Sequence, residues 1–177
     1  MKNLIIFVFA AAVMIASSAI AADYREIEWE ELIPKGWDPT IIYKRLGIAN
    51  IDDYDPKALK LLKSLEREWA MAPPNEAMSG KSVKIAGFIA PIEWLHDKEL
   101  GEFLLVPYFG ACIHSPAPPA NQIIYIKAEK PLKGVRSMDL IMVYGKLGLE
   151  KRVSGSMGTS GYTMKLDKFE IYKEPKK

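Results

Sequence analysis

The apolar positions of the chain follow two spacings, which divide it into a helical part and a strand-forming part. In residues 55–72 they recur every three or four positions and form one stripe, at Ala58, Leu61, Leu62, Leu65, Trp69 and Ala72. This spacing predicts an amphipathic helix. Asp55 suits its N-cap and Pro56 its first position, while the Pro73-Pro74 pair ends it. Before this helix the pattern is weaker, and it predicts a short helix or irregular arm at 27–32 and a short helix at 40–46.

After Ser79 the spacing changes to the alternation that is typical of β-strands. Five stretches show it or form short apolar runs, at 81–94, 102–107, 122–128, 139–149 and 162–172. Gly87 lies inside the first stretch, where a barrel strand often has to bend. In the last stretch the alternation slips by one residue between Leu166 and Phe169. Because such a slip would turn the inward face outward, we expect a β-bulge near Asp167 and Lys168.

Five strands separated by turn signals indicate a mainly β protein with one clear helix. The count and lengths favour a five-stranded antiparallel barrel of the oligonucleotide/oligosaccharide-binding (OB) type, with a β-sandwich as the alternative. We expect residues 22–78 to form an N-terminal arm and helix that pack on the barrel, and residues 79–177 to form the barrel itself.

The first residues have the pattern of an export signal. Lys2 precedes an uncharged apolar run, and the small residues Ala19 and Ala21 follow it at the spacing of a cleavage site. We expect residues 1–21 to be a signal peptide, cleaved after Ala21. The leader contains no cysteine for lipidation, and no later segment is long and apolar enough to span a membrane. The sequence thus predicts an exported, periplasmic protein without a transmembrane span.

Composition and charge argue against several classes of protein. Hydrophobic residues make up 49% and charged residues 26% of the 177 residues, which is ordinary for a globular protein and argues against intrinsic disorder. A single cysteine excludes a Cys₄ zinc site and an intramolecular disulfide framework. The net charge of +2 is small for a nucleic-acid-binding domain, so we expect no nucleic-acid partner.

The segment 108–122, between the second and third strands, contains the candidate metal-binding and redox residues. It contains Cys112, the only cysteine, and His114, one of two histidines, in a proline-rich loop whose backbone is stiffened. A thiolate and an imidazole two residues apart in an extended segment point to the same side, and both are ligands that Zn²⁺ and copper ions prefer. The other histidine, His96, precedes a strand that Cys112 follows, so about 20 Å would separate them. Two readings without a metal remain open: a packed cysteine, and a redox or intermolecular disulfide role.

Several stretches resemble a family of exported bacterial proteins named only as a domain of unknown function. They are EFLLVPYFGACIH from Glu102 to His114, PPANQ at 118–122, WEELIP at 29–34, the Asp-Pro before the helix, and Gly87-Phe88. The resemblance covers nearly all of the chain after the leader and implies an OB-type barrel. It also implies an accessory protein encoded beside ABC-type transporters, in some cases near metal-uptake components. Ala117 stands where relatives carry a proline.

These observations favour a non-enzymatic binding protein that serves a transport system and handles zinc or copper through Cys112 and His114. The alternative is a metal-free module that binds another protein or transporter component through the same loop, and a third reading is a thiol-redox role of Cys112. No enzyme is expected, because no third orienting group accompanies Cys112 and His114 and no Gly-x-Ser-x-Gly elbow is present. The predicted binding surface consists of Tyr108, Phe109, Ile113, Pro118, Pro119, Asn121 and Gln122.

Overall fold

The computed structural model describes residues 23–48, 55–113 and 117–172. The predicted signal peptide, residues 1–21, lies outside the described residues. Eight strands occur in the described part of the chain: β1 Arg25–Glu26, β2 Ser82–Trp94, β3 Leu100–Val106, β4 Ile124–Leu132, β5 Leu140–Gly148, β6 Arg152–Val153, β7 Thr159–Ser160 and β8 Tyr162–Ile171. Two α-helices, α1 Pro39–Arg45 and α2 Ala58–Trp69, precede the long strands. Short 3₁₀ turns lie at Trp29–Leu32, Glu76–Met78, His96–Lys98, Ala120–Gln122 and Gly155–Met157.

The five long strands close into a barrel in the order β2-β3-β4-β8-β5, with β5 pairing back to β2. This confirms the predicted OB-like five-stranded barrel and corrects one part of the prediction, because the barrel is mixed rather than antiparallel throughout. Strands β4 and β8 run parallel, with Ile124 opposite Tyr162. The reason is geometric: strand direction cannot alternate all the way round a closed ring with an odd number of strands.

The bulge predicted in the last strand is confirmed. Tyr144 of β5 pairs with Lys168, and the next residue, Gly145, pairs with Leu166, so Asp167 is the extra residue. The Asp167 side chain accepts a hydrogen bond from the Tyr24 hydroxyl at 3.0 Å, which ties the N-terminal arm to the bulge.

The arm also packs against the middle of β2. Strand β1 adds to β2 in parallel, and the Trp29 indole N–H donates to the Ala86 carbonyl at 2.8 Å. A Cβ atom on Gly87 would lie 2.9 Å from Trp29 Cζ2 and 2.7 Å from Leu105 Cγ. The glycine at this position is therefore explained by the close packing of Trp29 and Leu105 against it, a reason that the predicted strand bend did not include.

Helix α2 begins at Ala58, two residues later than the predicted first position Pro56, because residues 55–57 belong to a turn. The Asp55 carboxylate accepts from the Lys57 N–H at 2.8 Å, so it caps this turn and not the helix itself. Within α2 only Leu65 is fully buried, while Leu62 and Leu59 are exposed. In the part of the chain that the structure describes, no helix is long and apolar enough to cross a membrane.

The buried apolar side chains form two clusters, one inside the barrel and one on its outer surface. The barrel interior includes Phe103 and Leu105 of β3, and the outer cluster includes Leu104 and Val106 of the same strand. Strand β3 is thus covered on both faces, which explains why its sequence is a continuous apolar run. The outer cluster is completed by Ala90, Ala111, Ile123 and Met138.

Candidate functional site

The cysteine loop, which we define as residues 107–113 and 117–119, covers the outer cluster. The Gly110 N–H donates to Met138 Sδ at 3.1 Å, and Ala111 is fully buried beneath the loop. The Phe109 ring meets Phe88 of β2 edge to face, with ring centroids 5.9 Å apart. The loop is therefore held against the outside of the barrel by its own apolar side chains.

The segment after the loop is anchored to the N-terminal arm. The Asn121 amide donates to the Pro73 carbonyl at 3.0 Å, and the Gln122 amide donates to the Trp29 carbonyl at 2.8 Å. The Gly161 N–H donates to the Ala120 carbonyl at 2.6 Å. These bonds connect three separate parts of the chain and fix the far end of the loop.

Only some of the residues of the predicted binding surface are exposed to solvent. Tyr108, Phe109 and Ile113 are exposed, and Phe109 has 67% of its surface accessible. Pro118, Pro119 and Asn121 are buried, and Gln122 is half-buried with its amide engaged by the arm. Of the predicted surface residues, those in the first part of the loop thus face outward, while those in the second part pack inward, and two of these, Asn121 and Gln122, make the anchoring hydrogen bonds.

Cys112 is a half-buried free thiol with its backbone in the left-handed region, at φ 65°. Burial raises the pKa of this thiol from 9.0 to about 12, so it is protonated near neutral pH. His114, the other predicted metal ligand, lies outside the described residues. His96 lies at the opposite end of β3 from Cys112. Among the residues that the structure describes, no three His, Cys, Asp or Glu side chains come together as a metal site would require.

Cys112 lines a cleft of about 660 Å³ between the cysteine loop and helix α2. On the loop side the cleft also has Ile113, Ala117 and Pro118, and on the helix side it has Glu66, Arg67 and Ala70. Its third wall is the segment Gly155–Thr159, which leads into β7.

Two parts of this cleft were not predicted as functional from the sequence. Arg67 lies off the apolar stripe of the helix, and the glycine-rich segment 155–161 lies between two strands, so neither carries a functional signal in the sequence. The structure explains the glycine at position 158: its φ is 98°, and a Cβ atom there would collide with Ala117 Cβ. The glycines of this segment and the small residue Ala117 are both visible in the sequence. The sequence does not show, however, that the glycine-rich segment packs against the cysteine loop.

The chain belongs to the DUF3299 family, described as a protein of unknown function, whose model matches residues 29–171. It is similar to the crystal structure of a DUF3299 family protein from Pseudomonas aeruginosa PAO1, with a TM-score of 0.67 and 29% identity. That similarity covers 87% of this chain and 99% of the other. None of the curated proteins matches this chain.

Proposed function

We propose that this protein is a non-enzymatic binding module that engages another protein through the exposed part of its cysteine loop. One combination carries the proposal: the thiol of Cys112 is protonated and half-buried, while Phe109 in the same loop is 67% exposed. A binding module needs apolar side chains that are held outward at low entropic cost, whereas a thiol-based site needs an accessible thiolate. The loop satisfies the first requirement.

The role of Phe109 as a binding residue is supported by the contacts that fix its backbone and ring. It lies next to Gly110, whose N–H is bonded to Met138 Sδ, and its ring rests on Phe88. Tyr108 and Ile113 are exposed on the same loop, at 44% and 39%. An aromatic side chain presented from a fixed backbone loses little conformational freedom on binding, which is the usual property of an interface hot spot.

The cellular setting of the proposal comes from the sequence. The predicted leader directs the protein to the periplasm, and the family resemblance suggests that its partner is a component of a transport system. Both remain proposals, as does the absence of an enzymatic activity. Burial of the Cys112 thiol argues against a thiol-redox role, because the attacking species in such chemistry is the thiolate.

The proposal is tested by placing a photo-crosslinking amino acid at position 109 in the native host. We expect a discrete crosslinked product at position 109 and none at position 94, because Trp94 is also an exposed aromatic residue, at 41%, but pairs with Leu100 at the end of β3 opposite to the loop. The crosslinked protein is then identified by mass spectrometry. Equal crosslinking at both positions, or none at 109, would contradict the proposed surface.

Metal handling is the second candidate, and the observation that favours it is that Cys112 lines the cleft. Zinc and copper contents should be measured on protein purified under reducing conditions without a metal-affinity tag, beside Cys112→Ser and His114→Ala. A metal-free module contains much less than one metal ion per chain in all three samples. About one ion per chain in the wild type, lost in both variants, would replace the interaction proposal with the metal proposal.

A further inference from the structure

We propose that the partner presents an acidic, extended peptide segment, which binds in a groove along helix α2. This inference rests on the proposed function and specifies the chemistry of the partner. It follows from the shape of the groove, from its charge and from the apolar side chains at its two ends.

The groove consists of two clefts that share Arg67: the first lies between α2 and the cysteine loop, and the second is a depression on α2 and its preceding turn. The cleft beside Cys112 has Arg67 in its wall, and so does a second cleft of about 470 Å³ that is lined by Pro56, Leu59, Lys60 and Lys63. From Pro56 to Ala70 the helix and its preceding turn extend about 20 Å. An extended peptide of about six residues spans that distance.

The groove wall carries an excess of unpaired positive charge. Lys60, Lys63 and Arg67 lie three and four residues apart, so they share one face of α2. In the part of the chain that the structure describes, none of the three forms a salt bridge, and Arg67 donates only to the Ser64 hydroxyl at 3.1 Å. Glu66 is the one carboxylate among the residues lining either cleft. Three cations against one anion favour an acidic occupant.

Apolar side chains lie at both ends of the charged wall. Leu59 is 70% exposed at one end, and Ile113 is 39% exposed at the other, in a cleft that is also lined by the apolar residues Ala70, Ala117 and Pro118. A peptide that matches this arrangement of apolar and cationic side chains has acidic residues interspersed with apolar ones. The cleft beside Cys112 has the cysteine loop as a wall opposite α2, and a cleft with two walls fits a peptide chain better than a flat lipid surface, which would contact only the rim of α2.

The test is selection from a displayed library of random heptapeptides on the purified protein at low salt. We expect the selected peptides to be rich in Asp and Glu with interspersed apolar residues. Their affinity should fall at least about tenfold for Lys63→Glu/Arg67→Glu, and also between low and high salt. A milder variant, Lys63→Gln/Arg67→Gln, should lose part of this affinity, which keeps the test valid if charge reversal disturbs the helix.

The matched control is Lys130→Glu/Lys146→Glu, which makes the same change in net charge at exposed positions of β4 and β5. This control should bind the selected peptides as the wild type does. Neutral or basic selected peptides, no selected peptides, or equal loss in the control would each overturn the inference.

The two proposals can fail separately. If crosslinking at position 109 identifies a partner but charge reversal at Lys63 and Arg67 leaves its binding unchanged, the acidic segment is wrong and the binding module stands. If position 109 gives no crosslinked product, the binding module itself is wrong, whatever the peptide selection shows.

Discussion

The barrel interior and the outer cluster are both apolar, yet they are built in different ways. The interior is enclosed by strands whose side chains alternate, and it includes fully buried residues from β2, β3, β4 and β5 such as Ile85, Phe103, Ile126 and Val143. The outer cluster is smaller and is covered by a loop, and several of its members, such as Cys112 and Phe88, are only partly buried. The difference indicates that the interior determines stability, while the outer cluster determines the position of the exposed loop side chains.

The largest effect on stability is expected for Phe103→Ala in the barrel interior. Phe103 is fully buried, so its truncation removes apolar contacts and leaves a cavity, at a cost of about 3–5 kcal/mol in the free energy of unfolding. Denaturant unfolding monitored by circular dichroism measures this cost. A loss below about 1 kcal/mol would mean that the interior is not the main source of stability.

The next effect is expected for Met138→Ala in the outer cluster. Met138 is 9% exposed and its sulfur accepts the Gly110 N–H, so truncation should cost about 2 kcal/mol and loosen the loop.

The same variant tests whether the outer cluster keeps Cys112 protonated. The rise of its pKa from 9.0 to about 12 reduces the thiolate fraction at neutral pH by roughly a thousandfold, so the folded wild type should react slowly with iodoacetamide. Met138→Ala should react faster under conditions where it remains folded. Equal rates in the two proteins would show that the outer cluster does not control the thiol.

A smaller loss is expected for Tyr162→Phe, which tests the link between the barrel and the arm. The buried Tyr162 hydroxyl donates to the Leu32 carbonyl at 2.8 Å and accepts from the Asn75 N–H at 2.6 Å. Removing it takes this partner from two backbone groups that still pair with each other at 3.2 Å, so the loss should be about 1 kcal/mol.

The contribution of Tyr162 to stability should decrease as the pH rises. Burial raises the pKa of Tyr162 from 10.0 to about 12, so the neutral form is favoured in the folded state. Its contribution to stability is therefore complete below pH 10 and is lost as the pH rises from 10 towards 12. Tyr162→Phe should lose less stability over this interval than the wild type, and an identical loss would contradict the assigned role.

The smallest effect on stability is expected for Phe109→Ala. Because this side chain is 67% exposed, its removal should change the free energy of unfolding by less than about 1 kcal/mol. It should nevertheless weaken binding to the crosslinked partner, for which an aromatic hot spot contributes about 2 kcal/mol or more. A variant that is destabilised as much as Met138→Ala would place Phe109 in the core instead of the binding surface.

Much of the barrel was predictable because strand alternation is a local property. The five strands, the bulge at Asp167 and the helix before them follow from the spacing of apolar residues. The parallel pair of β4 and β8 was not predicted, although closing five strands requires it. The start of α2 was also placed wrongly, because Asp55 and Pro56 are equally suited to a capped turn.

The candidate site was predictable only in part. The loop and its single cysteine stand out in the sequence, and the structure places Phe109 and Ile113 of that loop at the surface. The burial of Asn121 and the position of Arg67 beside Cys112 depend on contacts between residues far apart in the chain. Neither periodicity nor composition contains that information.

By itself, the sequence determined the barrel class, the helix that precedes it and the loop that carries the unusual residues. Those features depend on short-range spacing and on backbone limits that act within a few residues. Only the tertiary structure decided which loop side chains face outward, how far the Cys112 thiol is buried and which helix forms the opposite wall of its cleft. Burial and charge proximity arise when distant segments pack together, so they are properties of the folded chain.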